Sequence, residues 1–229
     1  IDIDKIHSEI YKEATDAYYT TDPYAVYPSS NGLDFDISID EAKQMVSTPQ
    51  DTYTIPLKTL YPNVTTNEIG REAFPDLLAT YSTSYASSNA NRSTNIALAA
   101  SKINGTVLMP GEEFSFNGTV GKRTASAGFK TATVYSNGQV TTDYGGGICQ
   151  VSSTLYNSVL RANLEITNRV NHTFTVGYVP IGLDATVSWG SPDFKFKNNR
   201  SYPIKIVATT SNKRLTISVF GLKEDVEYE

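Results

Sequence analysis

Cysteine, histidine and tryptophan are nearly absent: 229 residues hold one Cys, two His and one Trp. A single cysteine excludes an intramolecular disulfide and any cysteine-cluster metal centre. His7 and His172 lie far apart in sequence, so a zinc site also has too few ligands. Neither a metal nor a cofactor is expected. No apolar run approaches the ~18–20 residues of a membrane span, so membrane attachment is expected only through a segment outside this sequence. The chain starts at Ile1 rather than Met, as would a chain trimmed of an upstream export signal or anchor. A dominant charge is lacking too: 19 Lys and Arg against 24 Asp and Glu give a net charge of −5. The basic residues are scattered rather than striped, which argues against nucleic acid as a partner. Tyrosine is plentiful, with 15 copies. It suits strands, and also carbohydrate or peptide contact.

At ~100–200 residues per domain, the length allows one large domain or two modest ones. The pattern favours two, a small α+β domain over residues 1–78 and a larger α+β domain with a mostly antiparallel sheet over 79–229. In the first, Ile3, Ile6, Ile10, Ala14 and Ala17 keep helical spacing. Residues 18–32 read as turns, and Asp34 to Ile37 alternates like a strand. Ser38 with Glu41 has capping-box spacing and opens a short helix through Val46; Thr65 with Glu68 repeats that spacing. Tyr53, Ile55 and Leu57 suggest a second strand, placed at an edge or bulge by Pro56. No residue here looks catalytic, and His7 reads as solvated. Residues 82–92, rich in Ser, Asn and Ala, read as a linker or exposed loop.

In the second domain, Ile96, Ala99, Ala100 and Ile103 form a helix stripe that Gly105 ends. Val107 to Met109 reads as a strand, Pro110-Gly111 as a turn, and Phe114 alternates with Phe116. Asn137-Gly138 between Val134-Tyr135 and Gln139-Val140 is a hairpin signal. Further strands are expected at Phe174–Tyr178, Ala185–Val187, Phe194–Phe196, Ile204–Ala208 and Leu215–Val219.

The chain is organised around Gly145-Gly146-Gly147-Ile148-Cys149-Gln150. Val151, Leu155 and Val159 follow at four-residue spacing, so Cys149 is expected near a helix N-terminus. The partial positive charge there favours a thiolate. Glycines permit positive φ and close backbone approach, which turns N–H groups toward a ligand. An activated nucleophile with an oxyanion pocket has those requirements. The competing reading is a small buried hydrophobe with an inert sulfur, although such a cysteine has no need of three glycines. A thiol nucleophile usually needs a base, and this part of the chain offers one histidine, His172, expected to begin a strand. Asp184 is the first choice to orient its imidazole, with Asp143 and Asp193 weaker choices and a backbone carbonyl as the fallback.

These residues also carry a family resemblance. Asn91-Arg92, Asn95-Ile96, Ile103-Asn104-Gly105-Thr106, Pro110 to Asn117, Gly121-Lys122-Arg123 and Gly128-Phe129 resemble the blocks of the VanW family, with Lys122 where proline is common. Gly145 to Tyr156 is similar to the family signature. His172, Tyr178-Val179-Pro180, Gly182, Asp184 to Val187 and Phe196 to Asn199 continue the match, which spans roughly Leu77 to Ala208. Residues 1 to about 75 resemble, more weakly, the peptidoglycan-binding domain that often precedes a VanW domain.

The family name comes from an accessory gene of glycopeptide (vancomycin) resistance clusters. The resemblance implies a Gram-positive, extracellular protein, in the cell wall or membrane-anchored on the outer face. It implies a cysteine L,D-transpeptidase forming 3→3 cross-links between peptidoglycan stem peptides, with Cys149 as nucleophile, His172 as base and Asp184 as orienter. Backbone N–H groups of Gly146, Gly147 and Ile148, or of Gln150, are the oxyanion donors expected. Arg123, Tyr144, Ser152, Ser153 and Tyr178 are the expected substrate contacts, Arg123 as a fork for a stem carboxylate. A non-catalytic wall-binding module and a cysteine peptidase or amidase are the other readings.

Overall fold

The computed structural model describes residues 1–136 and 139–224. The chain forms two compact units, Ile1–Ala73 and Phe74–Glu229. No helix among the described residues is long and apolar enough to cross a membrane.

The first unit runs α1 (Ile3–Ile10), β1 (Tyr18–Thr21), β2 (Tyr24–Tyr27), β3 (Gly32–Phe35), α2 (Ile39–Ser47) and β4 (Leu57–Leu60). Asp2 caps α1 by accepting from Lys5 N–H at 3.0 Å, and Ser38 with Glu41 closes a capping box on α2. Ile3, Phe35 and Ala42 form the core. The expected long first helix is corrected: it stops at Ile10. Beyond it the backbone leaves for sheet-like bonds, Lys12 N–H to Leu33 O at 2.9 Å and Thr15 N–H to Ser30 O at 3.0 Å. Residues 18–32 are not mere turns either, since β1 and β2 pair as a hairpin on which Tyr18 stacks over Tyr27 at 4.4 Å. The strand expected at Tyr53 begins only at Leu57, after Pro56, which has no N–H to give a ladder.

The second unit holds β5 (Asp76–Ser84), α3 (Ala90–Ile103), β6 (Val107–Leu108), β7 (Glu113–Ser115), α4 (Phe116–Val120), β8 (Thr131–Ser136), β9 (Gln139–Tyr144), α5 (Ile148–Arg161), β10 (Glu165–Asn168), β11 (Lys195–Lys197), β12 (Ile204–Ser211) and β13 (Arg214–Gly221). An antiparallel sheet in the order β5-β13-β12-β6 backs the unit, and β10-β11-β7 forms a smaller antiparallel sheet. The fold is α+β with mostly antiparallel strands. β8 and β9 pair from Thr131↔Tyr144 to Ser136↔Gln139; the hairpin turn expected at Asn137-Gly138 lies outside the described residues.

Three expectations fail here. Residues 82–92 are no linker: β5 runs to Ser84 and α3 starts at Ala90. Ser82, one of the serines that suggested a loop, pairs across the sheet with Thr216 at 2.7 Å. The alternating stretches 174–178 and 185–187 are irregular, so His172 does not begin a strand. The second turns Ala185 and Val187 into the core without a ladder, while Phe174 of the first stays exposed.

Helix α5 is the centre of the unit. Val151, Leu155 and Val159 are fully buried, and so is the opposite, polar side. Thr154 meets Thr83 of β5 at 2.8 Å, and the Ser158 hydroxyl donates to Ile217 O of β13 at 2.8 Å. A buried polar group must find such partners, and each net bond is worth about 0.5–1.5 kcal/mol. The polar face of α5 thus docks the helix on the sheet and fixes Cys149 in its first turn.

Candidate active site

Cys149 stands at the second position of α5, behind Gly147, which caps the helix at φ 104°. The sulfur is half-buried and lies 3.4 Å from the Val187 carbonyl oxygen. The three glycines before it are required by what crosses them. A Cβ on Gly145 would meet Ile148 Cδ1 at 2.6 Å and Arg123 Cγ at 2.8 Å. On Gly146 it would meet Thr133 O at 2.5 Å, and on Gly147 Arg92 Cγ at 2.8 Å. Asn95, fully buried, holds the same loop by donating to Gly146 O at 3.0 Å and Lys130 O at 2.9 Å. A methyl on Gly146 faces backbone that cannot yield, so Gly146→Ala is expected to cost about 1–3 kcal/mol of overpacking. Urea midpoints check this against Gly177→Ala, whose Cβ would meet nothing within 4 Å.

His172 comes from the irregular segment after β10. Its Nδ1 lies 2.6 Å from Asp184 Oδ2, and its backbone N–H donates to the same oxygen at 2.6 Å. Asp184 is itself buried, and Arg169 clamps it, Nη2 to Oδ1 at 3.2 Å and Nε to the carbonyl at 2.7 Å. The imidazole lies close enough to the Cys149 side chain for the two to interact. Since Asp184 occupies Nδ1, Nε2 is left for the sulfur. Burial opposes a charged imidazole at His172, but the bond and charge of Cys149, then of Asp184, outweigh it and raise its proton affinity. Burial likewise opposes charge at Asp184, yet the backbone and ring N–H of His172 hold that carboxyl below its usual range. Cysteine, imidazole and carboxylate therefore form one connected array, the arrangement of an activated nucleophile with an oriented base.

The other expected site residues divide. Arg123 packs against Gly145, and its guanidinium sits 5.8 Å from the Phe116 ring centre. Both of its Nη atoms are buried with no acceptor among the described residues. Burial lowers its proton affinity, opposed by the charges of Cys149 and Asp193. Tyr144 is exposed at the end of β9. Tyr178 is half-buried; burial, then the charge of Cys149, pushes its hydroxyl far above the ordinary range.

Ser152 and Ser153 are corrected from substrate contacts to structural clamps. Both are fully buried; Ser152 donates to Ala185 O at 2.6 Å and Ser153 to Cys149 O at 2.7 Å. The oxyanion set changes as well. Ile148 N–H already serves Gly145 O at 3.1 Å, and Gln150 N–H serves Gly147 O at 3.0 Å. The N–H groups of Gly146, Gly147 and Cys149 have no acceptor among the described residues. The Gln150 side chain is buried too, bonded to Thr83, Ser84 and Arg92. Arg169, Asn95 and Val187 were not expected at the site; as clamps and a carbonyl contact they carry no periodic signal. Among the described residues Asp143 accepts from its neighbour's N–H, Tyr144 N, at 2.7 Å, while the charge of Asp193 acts on Arg123.

The family described as VanW like protein matches residues 91–220, a span that contains Arg123 and the whole array. The chain belongs to the VanW family. It is 45% identical over 167 residues to the uncharacterized protein YoaR of Bacillus subtilis (strain 168), covering 73% of this chain and 55% of YoaR. It is 33% identical over 139 residues to the Vancomycin B-type resistance protein VanW of Enterococcus faecalis (strain ATCC 700802 / V583), covering 58% of this chain and 50% of that protein. The chain thus spans about half the length of these curated relatives. No solved structure matches it.

Proposed function

We propose that this VanW-family chain is a cysteine acyl-transferase of the bacterial wall, an L,D-transpeptidase that joins peptidoglycan stem peptides. The observation that carries the reading is His172 held by Asp184 through Nδ1 within electrostatic reach of Cys149. A passive wall-binding module needs no buried carboxylate behind an imidazole behind a thiol.

The geometry supports the following steps. Nε2 of His172 takes the thiol proton as the sulfur adds to the carbonyl before the terminal D-Ala of a tetrapeptide donor. The free N–H groups of Gly146, Gly147 and Cys149 supply donors for the oxyanion. The C–N bond breaks, His172 returns the proton to the departing D-Ala amine, and a thioester remains on Cys149. A side-chain amine of an acceptor stem then attacks that thioester and gives its proton to His172. The C–S bond breaks to leave a 3→3 cross-link, and the proton returns to the sulfur. The unpartnered guanidinium of Arg123 is matched to a stem carboxylate. The same reading places the chain outside the cell, in the wall or anchored on the outer face. It makes the first unit, Ile1–Ala73, a wall-binding domain, for which the stacked, exposed Tyr18 and Tyr27 offer an aromatic surface.

Mass spectrometry after incubation with disaccharide tetrapeptides tests this. Dimers lacking one D-Ala, and a thioester adduct on Cys149, are expected. Shortened monomers without dimers would make the protein a peptidase. Neither product from a folded sample would leave only the passive module.

A further inference from the structure

A pocket is lined in part by residues that follow Val187 in the chain. The chain passes from Val187, whose carbonyl faces the sulfur, to Trp189, whose indole is 52% exposed. Trp189 is one wall of a cavity of about 390 Å³ that Ser115, Asn117, Asn168, Asp193 and Lys195 complete. That volume falls in the ~300–1,000 Å³ range of small-ligand sites.

The charges of this pocket are already spent. Asp193 accepts from Ser115 Oγ at 2.6 Å, Asn117 N at 2.8 Å and Phe194 N at 2.8 Å. Lys195 Nζ pairs with Glu113 at 3.2 Å. Neutral polar groups and an indole face are left over. Asn117 is 6% exposed, and its amide is fixed because Nδ2 donates to Ser188 O at 2.6 Å and Pro192 O at 3.1 Å. Its Oδ1 is buried with no donor among the described residues. A buried acceptor left unmade costs about 1–3 kcal/mol, so a partner is called for. Asn168 is exposed in β10, and its side-chain amide has no partner among the described residues.

An apolar aromatic face, uncharged acceptors and donors, and a carboxylate already held by three neutral donors match one chemistry. A pyranose ring has a C–H face to lay on an indole and a rim of hydroxyl or acetamido groups for the amides. A charged peptide gains nothing from this pocket. We propose that it binds a neutral N-acetylhexosamine ring of the wall glycan, stacked on Trp189 beside the stem peptide at Cys149. The placement beside a stem peptide rests on the acyl-transfer reading; the sugar site itself does not. Asp193 links the two places, because Arg123 lies within reach of both its charge and that of Cys149.

Trp189 is the single tryptophan of the chain, so its emission reports on this pocket alone. Titration of the full chain with the tetramer of β-1,4-linked N-acetylglucosamine, and with peptide-free glycan strands, is expected to give a saturable emission change. By calorimetry, Trp189→Ala and Asn168→Ala, both exposed positions, are each expected to bind about tenfold more weakly, equivalent to ~1.4 kcal/mol. No emission change and no heat with either saccharide would overturn the proposal. So would unaltered binding by both variants, or an emission change caused by free tetrapeptide instead. Saccharide binding without cross-linking would keep this site and remove the acyl-transfer reading. Cross-linking of free stem peptides without saccharide binding would do the reverse.

Discussion

Replacing His172 by alanine is expected to slow cross-linking by about 10²–10⁴-fold, the usual contribution of a positioned acid–base group. The fold should survive, because His172 lies outside the core and its backbone N–H can still reach Asp184. Asp184→Asn is expected to lose a similar factor for another reason. An amide oxygen can still accept from the backbone, but it removes the charge that favours imidazolium and fixes the tautomer. kcat/KM on a tetrapeptide donor, read beside circular dichroism, checks both. An unchanged rate in either variant would remove His172 or Asp184 from the chemistry.

The same pair sets a pH dependence of stability. His172 has its proton affinity raised on folding, so its contribution is full below the ordinary ~6.5 and fades as pH rises through the raised value. Asp184 is lowered, so its contribution is full above the ordinary ~3.9 and fades as pH falls through the depressed value. The stability gap between parent and Asp184→Asn should therefore be widest between about pH 4 and pH 6.5 and narrow on both sides.

Much of this array was legible because its parts obey local rules. The four-residue spacing of Val151, Leu155 and Val159 announced α5, and the glycines marked the place where Arg123 and Arg92 cross the loop. Capping boxes at Ser38 and Thr65 are set within four residues and were read directly. Polar residues at helical positions were misread, because Ser152 and Ser153 look alike whether they face a substrate or a buried carbonyl. The segment after β10 defeated the period-two rule, since it is held by single long-range bonds such as Thr186 N–H to Val170 O at 2.7 Å. Arg169 and Asn95 were silent for the same reason: a clamp is one side chain meeting one distant carbonyl.

Arg123 is where stability and activity should part. Its Nη atoms are buried without acceptors, and burial pulls its proton affinity down, so the charged form costs stability at any pH below its own lowered value. Arg123→Met keeps the packing on Gly145 and Phe116 and removes an unsatisfied charge. The variant is therefore expected to unfold at the same or higher denaturant, by up to about 1–3 kcal/mol. If the guanidinium waits for the terminal carboxylate of the donor, the variant should also lose about 1.5–3 kcal/mol of charge-assisted binding, roughly 10–100-fold in kcat/KM. A donor with an amidated C-terminus separates the causes. The parent should lose the same factor on that donor, and the variant should lose nothing further, which is the coupling a double-mutant cycle detects. Independent losses would mean that Arg123 serves the thiol or Asp193 rather than the substrate. A destabilised variant would mean that the guanidinium carries structural weight that its bare Nη atoms do not suggest.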